Sequence, residues 1–179
     1  KKMWLANGIH HHYSNDKFTP EFCREWFAEQ LKGVDTGCVA HEDIVEILFN
    51  PALYPSRLNQ TAGVDMIAAS AGNYYEGLTQ AEVEKFYNKM IDPKDPRPIS
   101  YGLNSKLVKK NGKIYEQTYK IGGMYSEALE QVVYWLEKAE AVAEEPLKTT
   151  IGLLIKYYKS GDLKDFDAFN ISWVKDTQS

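Results

Sequence analysis

Residues 105–121 read SKLVKKNGKIYEQTYKI, and the fold class turns on this stretch. Side chains of an extended chain alternate between two faces, so a period of two is the mark of a strand. Here Tyr115, Tyr119 and Ile121 share one face, and Glu116, Thr118 and Lys120 share the other. Asn111-Gly112 stands between this run and SKLVKK. Both residue types tolerate positive φ, which a two-residue hairpin turn demands. The reading is a β-hairpin turning at Asn111-Gly112, with Tyr115, Tyr119 and Ile121 packed inward.

On either side of this hairpin the period returns to that of a helix. Upstream, DPKDPRP at residues 92–98 breaks any regular element. Before it, Thr79 and Glu82 have the spacing of a capping box for a helix running to about Ile91. An earlier helix is expected from Thr19 as N-cap with Pro20 in its first turn. It would carry Phe22, Cys23, Trp26, Phe27 and Leu31 on one stripe and stop at Gly33. Another is expected from His41 to Phe49, with Ile44, Val45 and Leu48 inward. Residues 50–61, NPALYPSRLNQT, read as a loop, and GVDMIAASAGNYYEG at 63–77 fits either a short buried helix or a cleft lining. Downstream, Leu129, Val132, Val133, Leu136, Ala139 and Val142 or Ala143 form the stripe of a long helix from Ser126 to about Glu144. Pro146 opens a helix ending near Ser160-Gly161, and Asp162 opens a last one carrying Phe166, Phe169, Ile171 and Trp173. The expectation is an α+β fold, mostly helical, with a small antiparallel β-hairpin or barrel portion. Residues 1–179 are read as a single fragment of a larger two-lobed protein. They divide into a mainly helical part at 1–98, the hairpin at 99–123 and a helical part at 124–179.

Composition narrows the function. Hydrophobic residues make up 44% of the chain, enough for a core, and the net charge is −4. That balance gives no reason to expect nucleic acid or an anionic membrane as partner. No apolar run is long enough to span a bilayer. Cys23 and Cys38 form no Cys-x-x-Cys pair and read as free thiols. A soluble protein is expected, and a cytoplasmic setting is compatible with it. The start at Lys1 and the end in FNISWVKDTQS, with no helix stop, suggest an excised piece.

The usual catalytic patterns are missing from the sequence. A zinc-peptidase helix needs histidines four apart with a glutamate between them, and after His41-Glu42 the fourth residue on is Val45. His41 is most simply a helix-start residue. His10, His11 and His12 diverge in direction on any regular backbone, so at most two could reach one ion. No metal site is expected. There is no Gly-x-Ser-x-Gly elbow, phosphate loop or dinucleotide fingerprint. Glu82 and Glu84 do not face each other on a helix and read as a solvated face. Trp26, Phe27, Tyr74 and Tyr75 read as core.

Three stretches together resemble the dipeptidyl peptidase III family of zinc metallopeptidases. GIHHHYSNDKF is similar to a family segment through Gly8, Tyr13, Ser14, Asn15, Asp16, Lys17 and Phe18. QVVYWLEKAEAVA at 131–143 resembles the family's long helix. FNISWVKD resembles a further segment through Trp173, Val174, Lys175 and Asp176. The resemblance implies a two-lobed zinc exopeptidase that releases dipeptides from the amino end of short peptides. Zinc is then the parent's cofactor, held outside this chain by a His-Glu-x-x-Gly-His helix. This chain would be part of the other lobe, inactive alone. Its partners would be short peptide substrates and the zinc-binding lobe of the same protein. The resemblance assigns substrate contacts to Tyr13 and Asn15, no catalytic residue and no metal ligand. Ser14 and Asn15 stand where Gly-Asp is more usual, and the three histidines are no family hallmark. Two alternatives stay open: Tyr13 as a core residue, and the chain as a non-catalytic peptide-binding or interaction domain.

Overall fold

A computed structural model of the chain describes residues 8–177. Ala6 and Asn7, at the edge of the histidine segment, lie outside the described residues. The chain forms two compact units, Lys1–Asn73 and Tyr74–Ser179.

The first unit contains α1 (Arg24–Leu31) and α2 (His41–Phe49), joined and flanked by loops. Helix α2 covers the expected residues and buries Val45 and Leu48. Helix α1 starts later than Thr19-Pro20 suggests, with Cys23 in the N-cap position and no side-chain cap. The chain just before it is tied to the amino-terminal loop, Phe18 N donating to Ile9 O at 3.0 Å. Phe22 instead packs its ring on Phe27 and Phe49, and Trp26 is left exposed rather than in the core. Residues 50–61 form the expected loop. The small-residue stretch after Gly63 makes turns rather than a short buried helix, with Asp65 Oδ1 accepting from the amides of Ile67 and Ala68.

The second unit holds a three-stranded sheet and four helices: β1 (Tyr75–Glu76), α3 (Gln80–Asn88), β2 (Ser105–Lys110), β3 (Lys113–Thr118), α4 (Ser126–Val142), α5 (Leu147–Ser160) and α6 (Leu163–Lys175). Strands β2 and β3 pair antiparallel from Ser105↔Thr118 to Lys110↔Lys113. The two-residue turn between them has φ of 52° at Asn111 and 74° at Gly112, the primed geometry that follows strand twist. Strand β1 adds parallel to β2, so the sheet is open and mixed rather than a barrel.

The face assignment of β3 is reversed in part. Tyr115 is 39% exposed. Glu116 turns inward instead, where its Oε1 accepts from Ser105 Oγ at 2.6 Å and Tyr87 Oη at 3.1 Å. Two hydroxyl partners make burial of the carboxylate tolerable, which strand parity alone cannot register. Its directly opposite neighbour on β2, Leu107, is fully buried. On α3 the capping box forms as expected: Thr79 Oγ1 accepts from Glu82 N, and Glu82 accepts from Thr79 N.

Helices α4, α5 and α6 pack in sequence, α5 against both neighbours. Pro146 and Asp162 occupy the N-cap positions of α5 and α6, and Gly161 ends α5 in the left-handed region. That turn is tied to the sheet, because Asn104 Nδ2 donates to Gly161 O at 2.8 Å and Ile121 N to Tyr158 O at 3.0 Å. A Cβ on Gly161 would stand 2.8 Å from Thr118 Cγ2. The expected stripe of α4 holds at Val133, while Val132 and Val142 face outward with Trp135.

Candidate functional site

The segment the family resemblance singles out is a loop held at both of its ends. His10 and Lys17 form an antiparallel bridge, and His11 N donates to Asp16 O at 2.9 Å. Asp16 bridges in turn to Ser56, with Lys17 N donating to Pro55 O and Arg57 N to Asn15 O at 2.7 Å. The six residues between His10 and Lys17 thus project from a short ladder.

Side chains lock the base of this loop. His10 is 7% exposed, and its Nε2 lies 3.0 Å from Tyr54 O. Tyr54 itself has φ of 50°, an uncommon conformation for a bulky residue, and the bond to His10 helps hold it. Lys17 Nζ donates to Ile47 O at 2.5 Å, Asn50 O at 2.6 Å and Leu53 O at 2.9 Å. These are carbonyls at and beyond the end of α2, where a helix leaves acceptors unsatisfied and its dipole favours a cation. Burial lowers the Lys17 ammonium below the usual lysine range, and the Glu46 carboxylate acts against that. Asp16, Lys17 and Phe18 also form one wall of a 260 Å³ cavity, with Leu48, Phe49 and Pro55 opposite.

The tip of the loop is aromatic and open. Tyr13 is 73% exposed, so it is not a core residue of this unit. The His11 ring stacks on it at 4.9 Å between centroids and 22° between planes, and His12 meets it edge-on at 4.9 Å. Ser14 Oγ donates to Asp16 Oδ2, and Arg57 Nη2 donates to Ser14 O at 3.2 Å. Asn15 is exposed, and its carbonyl is engaged by Arg57 N. The three consecutive histidines therefore separate into one buried anchor and two rings flanking Tyr13. Among the described residues no three His, Cys, Asp or Glu side chains group so as to hold a metal ion.

Sequence reading brought out Tyr13 and Asn15 but not Arg57 or Tyr54. Both lie in residues 50–61, which read only as a breaker; a lone arginine among prolines and asparagines carries no signal of its own. Lys17 entered only as part of the family pattern, and its role at the end of α2 is a tertiary fact.

In the second unit the polar cluster of Tyr87, Ser105 and Glu116 is structural in character. Burial pushes the Tyr87 phenol up to about 12, with the Ser105 hydroxyl acting the other way. Gly102 lies against the ring of Tyr87, where a Cβ would come within 2.9 Å of Cζ.

Residues 99–179 match the family model described as peptidase family M49. The match spans the hairpin and helices α4 to α6, a little under half of the chain, and relates that part to peptidase family M49. Among solved structures the chain is similar to dipeptidyl-peptidase III from Corallococcus sp. strain EGB, with 23% identity and a TM-score of 0.44. The likeness covers 87% of this chain and 28% of that one, so the chain spans about a quarter of that protein's length. No curated protein matches the chain. The loop at residues 8–18 lies outside the residues that match the family model.

Proposed function

We propose that this chain forms one wall of the substrate cleft in a dipeptidyl peptidase III-like zinc exopeptidase that releases dipeptides from the amino end of short peptides. In this reading Tyr13 packs against side chains near the peptide's amino end, and Asn15 contributes a polar contact beside it. The observation that carries it is the exposure of Tyr13 on a loop whose base is locked by His10 and Lys17. An aromatic ring offers a large contact area at small entropic cost, and a clamped loop lowers that cost further. Zinc would be the parent's cofactor. The described residues of this chain do not fit a zinc site, and no step is assigned to a metal held here.

Contact away from the scissile bond binds ground state and transition state alike, so it acts on KM more than on kcat. In the full-length protein, Tyr13→Ala should lower kcat/KM for short peptides roughly five- to thirtyfold, mostly through KM. Tyr13→Phe should be milder, since the ring face remains. Steady-state kinetics with dipeptide release followed by mass spectrometry, alongside a melting curve, is the test. A lowered melting point with unchanged KM would remove Tyr13 from the substrate site. Absence of any dipeptide release by the full-length, zinc-loaded protein would favour a non-catalytic peptide-binding domain.

A further inference from the structure

The geometry points to a pH-gated preference for peptides that carry an acidic side chain near their amino end, set by His11 and His12 at the tip of the Tyr13 loop. The inference rests on the reading of Tyr13 as a substrate contact and adds what that contact selects. Two imidazoles touch the Tyr13 ring, one stacked and one edge-on, so a ligand side chain lying on the exposed phenol meets them as well. Histidine is the side chain that ordinarily gains a proton between about pH 8 and pH 5. With both imidazoles protonated the tip is an aromatic surface carrying two cations.

The surrounding charges leave room for an anion. On the loop itself the groups are buried His10, turned to Tyr54 O; Asp16, accepting from Ser14; and Lys17, turned to the carbonyls ending α2. The segment packed against the loop contributes Arg57, donating to Ser14 O, and the Tyr54 phenol. From α2, Glu46 acts on Lys17 and is paired with Arg24 at 2.6 Å. Asp16 is thus the one carboxylate of the loop, set against Arg57, His11 and His12 when both imidazoles are charged. A carboxylate on the ligand complements that balance when the imidazoles are charged and much less so when they are neutral acceptors and donors.

The test uses two tetrapeptides, alanine-glutamate-alanine-leucine and the same peptide with glutamine in second place, titrated calorimetrically into the full-length protein kept zinc-free with a chelator, so that neither is cleaved, at about pH 8 and about pH 5.5. The glutamate side chain stays largely ionised at both. The affinity ratio of the glutamate to the glutamine peptide should rise roughly two- to tenfold on acidification, the range that exposed charge pairs supply. That rise should be absent in His11→Gln/His12→Gln. A ratio constant with pH while Tyr13→Ala weakens both peptides would overturn the inference and leave the substrate-contact reading standing. A rise that persists in the double variant overturns it too, because other groups then set the preference. Binding of neither peptide, or binding indifferent to Tyr13→Ala, removes the substrate-contact reading and the inference with it.

Discussion

The two units of this chain are held together by different forces. Among the described residues, the buried apolar side chains of the first unit are Val45 and Leu48. Much of its order comes from polar anchoring: Lys17 on three carbonyls, His10 on Tyr54 O, and the ladder joining residues 15–17 to residues 55–57. The second unit buries Leu78, Val83, Leu107, Val108, Val133, Ile155 and Leu163 between a sheet and its helices. Apolar burial is non-directional and tolerates rearrangement, whereas a hydrogen bond to a fixed carbonyl is lost when its donor is lost. The first arrangement fixes the base of the loop that carries Tyr13; the second suits a scaffold.

The largest effect that would test this contrast is Leu107→Ala. The side chain is 0% exposed, so truncation leaves a cavity and should cost the second unit roughly 2–5 kcal/mol in urea unfolding. A cost near zero would mean that the sheet core does not carry the unit. Next comes Lys17→Met, which keeps the aliphatic stem but removes the ammonium from the three carbonyls of Ile47, Asn50 and Leu53. It should cost roughly 1–3 kcal/mol and speed amide exchange over the last turn of α2. Retention of wild-type exchange there would break the claim that polar anchoring holds the first unit.

Gly112→Val probes the hairpin turn. With φ of 74° at this position, a β-branched residue should destabilise by about 1–2 kcal/mol, read from thermal melts. The smallest effect concerns alkali. A free phenol titrates near pH 10, and Tyr87 is pushed up to about 12 by burial. Its folded-state value is the higher one, so its contribution is fully present below about pH 10 and is lost as pH rises through about 12. The denaturation midpoint of the second unit should fall across that window, and by less in Tyr87→Phe. Equal slopes for the two proteins would take Tyr87 out of the account.

Much of the second unit was legible in the sequence because its signals are local. The Asn111-Gly112 turn, the Thr79/Glu82 capping box, and the Pro146 and Asp162 helix starts depend on residues within four positions of one another. Glu116 and Tyr115 were misread because parity gives two faces and cannot say which is wet; that depends on Ser105 and on Tyr87, 29 residues away. Helix α1 starts at Arg24 rather than after Thr19, and Thr19-Pro20 belong instead to the segment that Phe18 N ties back to Ile9 O.

The candidate site divides in the same way. Family pattern and residue type drew attention to Tyr13 and Asn15, and the sequence by itself determined that three histidines in a row could not all serve one ion. Only the tertiary structure decided that His10 goes inward to Tyr54 while His11 and His12 flank an exposed Tyr13, and that Lys17 caps a helix 30 residues further on. The physical reason is that period and propensity act over a few residues, whereas the partner of a buried polar group is whichever acceptor the fold brings within about 3 Å, at any distance along the chain.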